Sequence, residues 1–213
     1  LLEGEVGELF DLIYTFKAIP AGRHLWTSGV EGRTFNRNCH RAGWGPRLSD
    51  HFTFLFDELM KGGGVGSNYS ADYLEALPAI VGRVLPVFIL DETHPDSAEL
   101  SGMDELVMGQ SSEATTDAFV VQDSREGWVD AMRHLIELST ESGLHAVTFD
   151  LSEVRSRGSV LKGFGGTASG PGPLAAALDM TATTLGRAVG GQLLGLDAME
   201  IDHSIAQCVV AGN

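Results

Sequence analysis

Leu161-Lys162-Gly163-Phe164-Gly165-Gly166-Thr167-Ala168-Ser169-Gly170-Pro171-Gly172-Pro173-Leu174 carries five glycines and two prolines. Such a run forms neither a regular helix nor a strand, because glycine loses the most backbone entropy on ordering and proline has no N–H to donate. Two readings are open. In one it is an ordered phosphate cradle: small residues let backbone amides approach an anion, Lys162, Thr167 and Ser169 add polar groups, and Pro173 before Leu174–Leu178 has the form of a helix start. In the other it is a flexible linker. The Walker spacing is absent, since no Gly-Lys-Ser/Thr closes the run.

Upstream, Val147, Phe149 and Leu151 alternate with Thr148, Asp150 and Ser152, the pattern of a half-buried strand, and Arg155 and Arg157 follow. Downstream, Leu174–Leu185 is expected to be helical. Asp197 with Glu200 resembles a capping box at the start of a last helix carrying Ile201, Ile205 and Cys208. Cys208 on that face reads as core rather than redox.

The remaining periodicities alternate helix and strand. Val6, Leu9, Phe10, Ile13 and Phe16 keep helical spacing, and Pro20 ends that helix. Ser49 or Asp50 is expected to cap a helix running to Lys61, with Phe52, Leu55, Phe56 and Leu59 on one face. Gly62-Gly63-Gly64 after it exceeds the one glycine that a helix C-cap uses, which implies close approach to a ligand or to another backbone. Val84–Leu90 and Phe119–Val121 read as strands. Ser124 is expected to cap a helix whose core stripe is Trp128, Met132, Leu135 and Ile136, and Asp123-Ser124-Arg125 at its start is suited to a phosphate.

Charge and composition exclude several classes. The net charge of −15 argues against a general nucleic-acid binder, and no run is long and apolar enough to span a membrane. From Asp91 to Asp150, 14 acidic residues face only Arg125 and Arg133, whereas between Arg23 and Arg47 five arginines (Arg23, Arg33, Arg37, Arg41, Arg47) face only Glu31, a candidate anion site. Two cysteines without CxxC spacing and singly spread histidines give no metal site, and the cysteine usage favours a cytoplasmic setting. Cys39, flanked by Arg37, His40 and Arg41, is the more reactive of the two on electrostatic grounds. A chain that opens on Leu1 without methionine and shows no signal peptide is expected to be a segment of something longer.

Several stretches together resemble the adenosylcobalamin-dependent, class II ribonucleoside-triphosphate reductases. They are His24–Gly29, Asn38-Cys39, Met60–Gly66, Asp123–Trp128, Leu161–Leu174 and Cys208–Asn213, in the family's order from Phe16 onward. The resemblance implies an α/β fold, part of the ten-stranded barrel of ribonucleotide reductases with an inserted, mainly helical segment. It divides the chain into 1–70 (first part of the barrel), 71–150 (an insertion completing an effector site) and 151–213 (barrel continuation with specificity loops).

By residue, the resemblance implies that Cys39 is one of two cysteines that reduce the ribose and end as a disulfide. Ser28, Asn38, Gly63 and Gly64 would lie on the substrate side. Asp123, Ser124, Arg125, Arg155 and Lys162 would hold a deoxynucleoside triphosphate effector. The implied partners are a ribonucleoside triphosphate, that effector, a thioredoxin-like or dithiol reductant and the remainder of the reductase; adenosylcobalamin would be bound mainly outside this chain. The radical cysteine and the acid/base glutamate of the family have no counterpart here, so the chain alone is expected to be inactive. Competing classes are a non-catalytic nucleotide-binding module, one half of a split or intein-interrupted reductase, and a thiol oxidoreductase using Cys39 with Cys208, which would need Cβ atoms within about 4 Å.

Overall fold

The structure, a computed structural model, describes residues 3–29, 37–100, 108–110, 118–161 and 166–210. The described residues up to Asn38 belong to one compact unit, and those from Cys39 onward to a second.

The first unit holds α1 (Glu3–Tyr14) and α2 (Gly22–Thr27). The apolar stripe expected of α1 is present but exposed: Phe10, stacked on Tyr14 at 5.8 Å, is 63% accessible.

The second unit is built on two parallel sheets. β1 (Cys39–Arg41) pairs with β2 (Gly64–Gly66), and α3 (Leu48–Met60) is the crossover between them. After α4 (Ala71–Leu74) comes a four-stranded sheet of β3 (Gly82–Leu90), β4 (Met108–Gln110), β5 (Phe119–Val120) and β6 (Gly143–Asp150), in the order β4-β3-β6-β5. Its backbone is the eight-residue register from Gly82↔Gly143 to Ile89↔Asp150. α5 (Ser97–Leu100) and α6 (Arg125–Leu138) lie between strands; α7 (Gly172–Arg187) and α8 (Gly195–Val210) follow the sheet. The result is the α/β class with parallel strands that the sequence implied.

One expectation is corrected. Among the described residues, 71–150 are not mainly helical, because they contribute all four strands of the larger sheet as well as α6. β3, expected over Val84–Leu90, begins two residues earlier at Gly82, and Pro86 stays in register with β6.

The core closes where α6 and α7 cover the sheet. Phe88 stacks on Phe149 at 6.0 Å, Phe119 meets Phe149 edge-on at 5.7 Å, and Met132, Leu135, Ile136, Leu174 and Leu178 are buried. α3 adds Phe52 and Phe56 and α8 adds Ile201, Ile205 and Cys208. Parallel strands covered in this way are expected to be apolar on both faces, as β3 is from Phe88 to Leu90.

Caps follow the sequence with two shifts. Ser124 caps α6, its hydroxyl accepting the Gly127 N–H at 3.0 Å. The N-cap of α3 is Arg47 rather than Ser49 or Asp50; Asp50, one turn in, reaches back to the Arg47 N–H (3.2 Å) and guanidinium (2.8 Å). In α8, Asp197 accepts the Leu194 N–H at 3.3 Å, while Glu200 pairs with Arg187.

Candidate functional site

Cys39 is exposed and opens β1, directly across from Gly64 on β2. The ladder continues past the strand, with the Ala42 N–H donating to Gly66 O at 2.9 Å. The three glycines have separable reasons. Gly62 takes φ +73° to end α3, a left-handed conformation that costs glycine little. Gly63 donates to Glu58 O at 2.9 Å, and a Cβ there would stand 2.9 Å from that carbonyl and 3.0 Å from the His40 ring. The close approach foreseen at this glycine is therefore to His40 and to the end of α3. Gly64 sets backbone without a side chain opposite the Cys39 thiol.

The basic surroundings expected of Cys39 are partly neutralised. His40 Nε2 lies 3.2 Å from Glu58, and Arg47 is held by Asp50. Of the five arginines, Arg23 and Arg37 are in the first unit, Arg41 and Arg47 in the second, and Arg33 is outside the described residues. Ser28 and Asn38 also belong to the first unit. There Ser28 is the C-cap of α2, its N–H donating to His24 O at 3.0 Å, and the Asn38 side chain accepts from the Arg23 guanidinium at 2.5 Å.

The second cluster stands at the carboxyl ends of the parallel strands, the edge where open α/β sheets bind ligands. β5 leads through Gln122 to Asp123, and β6 leads through Leu151 to Arg155. Arg155 Nε is 2.9 Å from both oxygens of Asp123, and the Arg155 amide donates to the same carboxylate at 3.2 Å. Asp123 and Arg155 are thus brought together. The Ser124 hydroxyl is used as the helix cap. Arg125 points the other way: its Nε is 2.7 Å from Asp57 on α3 and its Nη2 2.5 Å from Glu126. It ties α6 to α3.

The described part of the glycine stretch is an ordered loop and not a linker. Thr167 bridges Val160, Gly158 N–H donates to Ala168 O at 2.9 Å, and Ala168 N–H returns to Ser159 O at 2.8 Å. Gly170, at φ +79°, lies against Asp96, whose oxygen would be 2.5 Å from a Cβ there, and Asp96 accepts the Arg157 N–H at 2.8 Å. Lys162 lies outside the described residues. His94 donates from Nε2 to Val154 O at 2.8 Å, because its Nδ1 accepts the Asp96 N–H at 3.1 Å. Asp91, at the end of β3, is held below the usual carboxylate range by the Thr93 hydroxyl and amide. Among the described residues no group of three or more His, Cys, Asp or Glu is arranged to hold a metal ion.

A third cluster escaped the sequence reading. His51 on α3 is fully buried, with Nε2 3.0 Å from Asp202 on α8 and Nδ1 3.3 Å from Gly43 O. Ser67 and Tyr69 donate to the same Asp202 oxygen at 3.1 and 2.6 Å. Trp44 stacks on His51 at 3.7 Å. The readable signal was Asp202 beside Ile201 and within one turn of Ile205, a carboxylate on an apolar helix face. Its histidine partner is 151 positions away, beyond any local pattern.

Cys208 is buried, and burial pushes its thiol up to about 12, so it is not a thiolate near neutral pH. Both cysteines are free. A Cys39–Cys208 redox couple is not supported.

Comparison with known proteins decides the kinship. A family model described as the B12-dependent ribonucleotide reductase insertion domain matches residues 87–185. A Lactobacillus leichmannii adenosylcobalamin-dependent ribonucleoside-triphosphate reductase is 35% identical across 100% of this chain. Over nearly its whole length this chain is similar to one stretch of the class II ribonucleotide reductases. A Mycobacterium phage D29 protein provisionally named for the same activity is 45% identical over 99% of the chain. A crystal structure of a B12-dependent class II ribonucleotide reductase superposes with a TM-score of 0.83 over 97% of the chain at 33% identity. The chain spans 32% of the length of each of these relatives. The insertion match runs past residue 150, the boundary expected from sequence, and takes in the loop after β6 and most of α7. Among the described residues no helix is long and apolar enough to cross a membrane.

Proposed function

We propose that this chain is the part of an adenosylcobalamin-dependent ribonucleoside-triphosphate reductase that carries one redox thiol, a substrate-side backbone and an allosteric nucleotide site. The observation that carries the reading is the β1–β2 pairing, which sets an exposed thiol opposite a glycine backbone. A thiol so placed can reach a substrate lying along Gly64; Ser28 and Asn38 are proposed as substrate-binding residues from the likeness to these reductases alone. In the net reaction two thiols give up two electrons and two protons, the ribose 2'-hydroxyl leaves as water, and a disulfide remains. The chain's own task is positioning and exclusion of water.

When bound, adenosylcobalamin supplies the radical; in this reading it is held by the rest of the reductase.

The effector is a deoxynucleoside triphosphate at the carboxyl edge of the larger sheet, with Asp123, Ser124, Arg155 and Lys162 around it. Arg155 is presented there by Asp123, while Arg125 supports α6 from its side. Residues 71–150, extended to 185 by the match to the insertion model, act as the insertion that completes this site, and 1–70 and 186–213 act as barrel. The setting is cytoplasmic, with a dithiol or thioredoxin-like reductant.

Turnover tests the whole reading. The full-length reductase containing this chain, given adenosylcobalamin, a dithiol and CTP, is expected to form dCTP, and the 213-residue chain alone to form none. Absence of dCTP from the full-length protein would leave the non-catalytic nucleotide-binding module as the better reading. The effector site has its own test: Arg155→Ala should weaken dNTP binding about tenfold or more in calorimetric titration, the usual scale for a charge-assisted contact to phosphate. Unchanged dNTP affinity would remove Arg155 from the site.

A further inference from the structure

The buried His51–Asp202 cluster connects four pieces of the second unit at one carboxylate oxygen. The exit of β1 supplies Gly43 O to His51 Nδ1 and Trp44 to the face of the imidazole; the Trp44 indole N–H donates to Asn68 O at 2.6 Å. The exit of β2 supplies Ser67 and Tyr69 to Asp202. α3 carries His51 and α8 carries Asp202. Gly43 O and Asp202 are both acceptors, so His51 makes both bonds only with a proton on each nitrogen. Burial and the bond to Asp202 push the Tyr69 phenol up to about 12, which keeps it a donor.

Three donors converge on one Asp202 oxygen while the other, buried, has no partner among the described residues. Leaving a carboxylate oxygen unsatisfied is costly, and a core of similar shape without the carboxylate would avoid that cost. The arrangement therefore calls for a reason beyond packing. The strands it joins supply one: β1 and β2 are paired over three residues, and the cluster ties the residues just past both of them to α3 and α8.

We propose that His51 and Asp202, with Ser67 and Tyr69, are positioning residues that clamp the exits of β1 and β2 and so fix the Cys39 thiol against Gly64. The proposal rests on the reading of Cys39 as the redox thiol for its functional meaning, but the clamp itself is measurable without turnover. His51 and Asp202 are both buried. Their effect travels through the strand: a displacement of about 1 Å at a reacting group can slow a reaction a hundredfold.

The experiment uses the full-length reductase and two readouts, the kinetics of deoxynucleotide formation and the rate of Cys39 alkylation by iodoacetamide followed by peptide mass spectrometry. Asp202→Asn is expected to lower kcat about tenfold with KM for the nucleotide within about twofold, the split of a misplaced reacting group. Cys39 alkylation should quicken at least about threefold as β1 loosens, since labelling tracks local opening. Tyr69→Phe, which keeps the ring, should shift both in the same direction by less and serves if Asp202→Asn does not fold. Ile205→Ala, on the same helix and buried outside the polar cluster, should lower thermal stability while leaving the Cys39 alkylation rate unchanged. Wild-type alkylation in Asp202→Asn and Tyr69→Phe, or equal quickening in Ile205→Ala, overturns the clamp. If Cys39→Ser turns over normally, the redox reading fails instead, and the alkylation rates still decide the clamp.

Discussion

Phe149→Ala is expected to lower the unfolding free energy by about 3–5 kcal/mol, the range for truncating a buried aromatic ring. Phe149 sits near the end of β6, fully buried, with Phe88 stacked on one side, Phe119 edge-on and the His134 ring of α6 at 6.3 Å. Truncation removes the transfer free energy of the ring and leaves a cavity among strands that cannot collapse, because their positions are fixed by the eight-pair ladder between β3 and β6. Phe149→Leu fills most of that space and should recover more than half of the loss. Urea unfolding of both variants checks this, with the midpoint moving at unchanged m. A loss under about 1 kcal/mol for the alanine variant would mean that the sheet and α6 do not close on this ring.

How much of this could be read beforehand depended on the distance over which the information lies. β6 announced itself through Val147, Phe149 and Leu151, and α6 through Ser124 and its apolar stripe, because periodicity and capping act within one turn or one strand. The parallel pairing was not local. β5, expected over Phe119–Val121, is present as two residues, whereas β4 is three residues long and exists only because β3 supplies its hydrogen bonds, so its polar surroundings give no strand signal. At the candidate sites, Cys39 and Gly64 were picked out separately, and the resemblance to a family joined them; their register, which puts one opposite the other, is a tertiary fact. For Arg125 the neighbour in sequence, Ser124, suggests phosphate, while the structure adds a partner from another helix, Asp57. The extra glycine at position 63 reads as close approach to a ligand or to another backbone, and the atoms it makes room for are the Glu58 carbonyl oxygen and the His40 ring. The His51–Asp202 pair was invisible for the same reason: a buried ion pair is specified by three-dimensional proximity alone.

Cys39→Ser is expected to reduce multiple-turnover deoxynucleotide formation by the full-length reductase more than about a hundredfold, because a hydroxyl is neither a comparable nucleophile nor able to end as a disulfide. The electron balance makes this sharp. Each product requires two electrons from a thiol pair, and with one thiol replaced by a hydroxyl the pair cannot supply them, however well the nucleotide is bound. Nucleotide affinity should therefore stay within about twofold of wild type, since the glycine backbone opposite residue 39 is untouched. Cys208→Ala is the matched control. That thiol is buried in the α8 core and carries no accessible sulfur, so its loss should lower stability slightly and leave turnover within about twofold. The two variants separate chemistry from cysteine content, and Asp202→Asn adds the third case, a chain that keeps the thiol but holds it less firmly. Loss in Cys39→Ser, slowing in Asp202→Asn and indifference in Cys208→Ala is the ordering that the geometry requires. Near-normal turnover in Cys39→Ser would move the redox role off β1 and leave the thiol opposite Gly64 without a function.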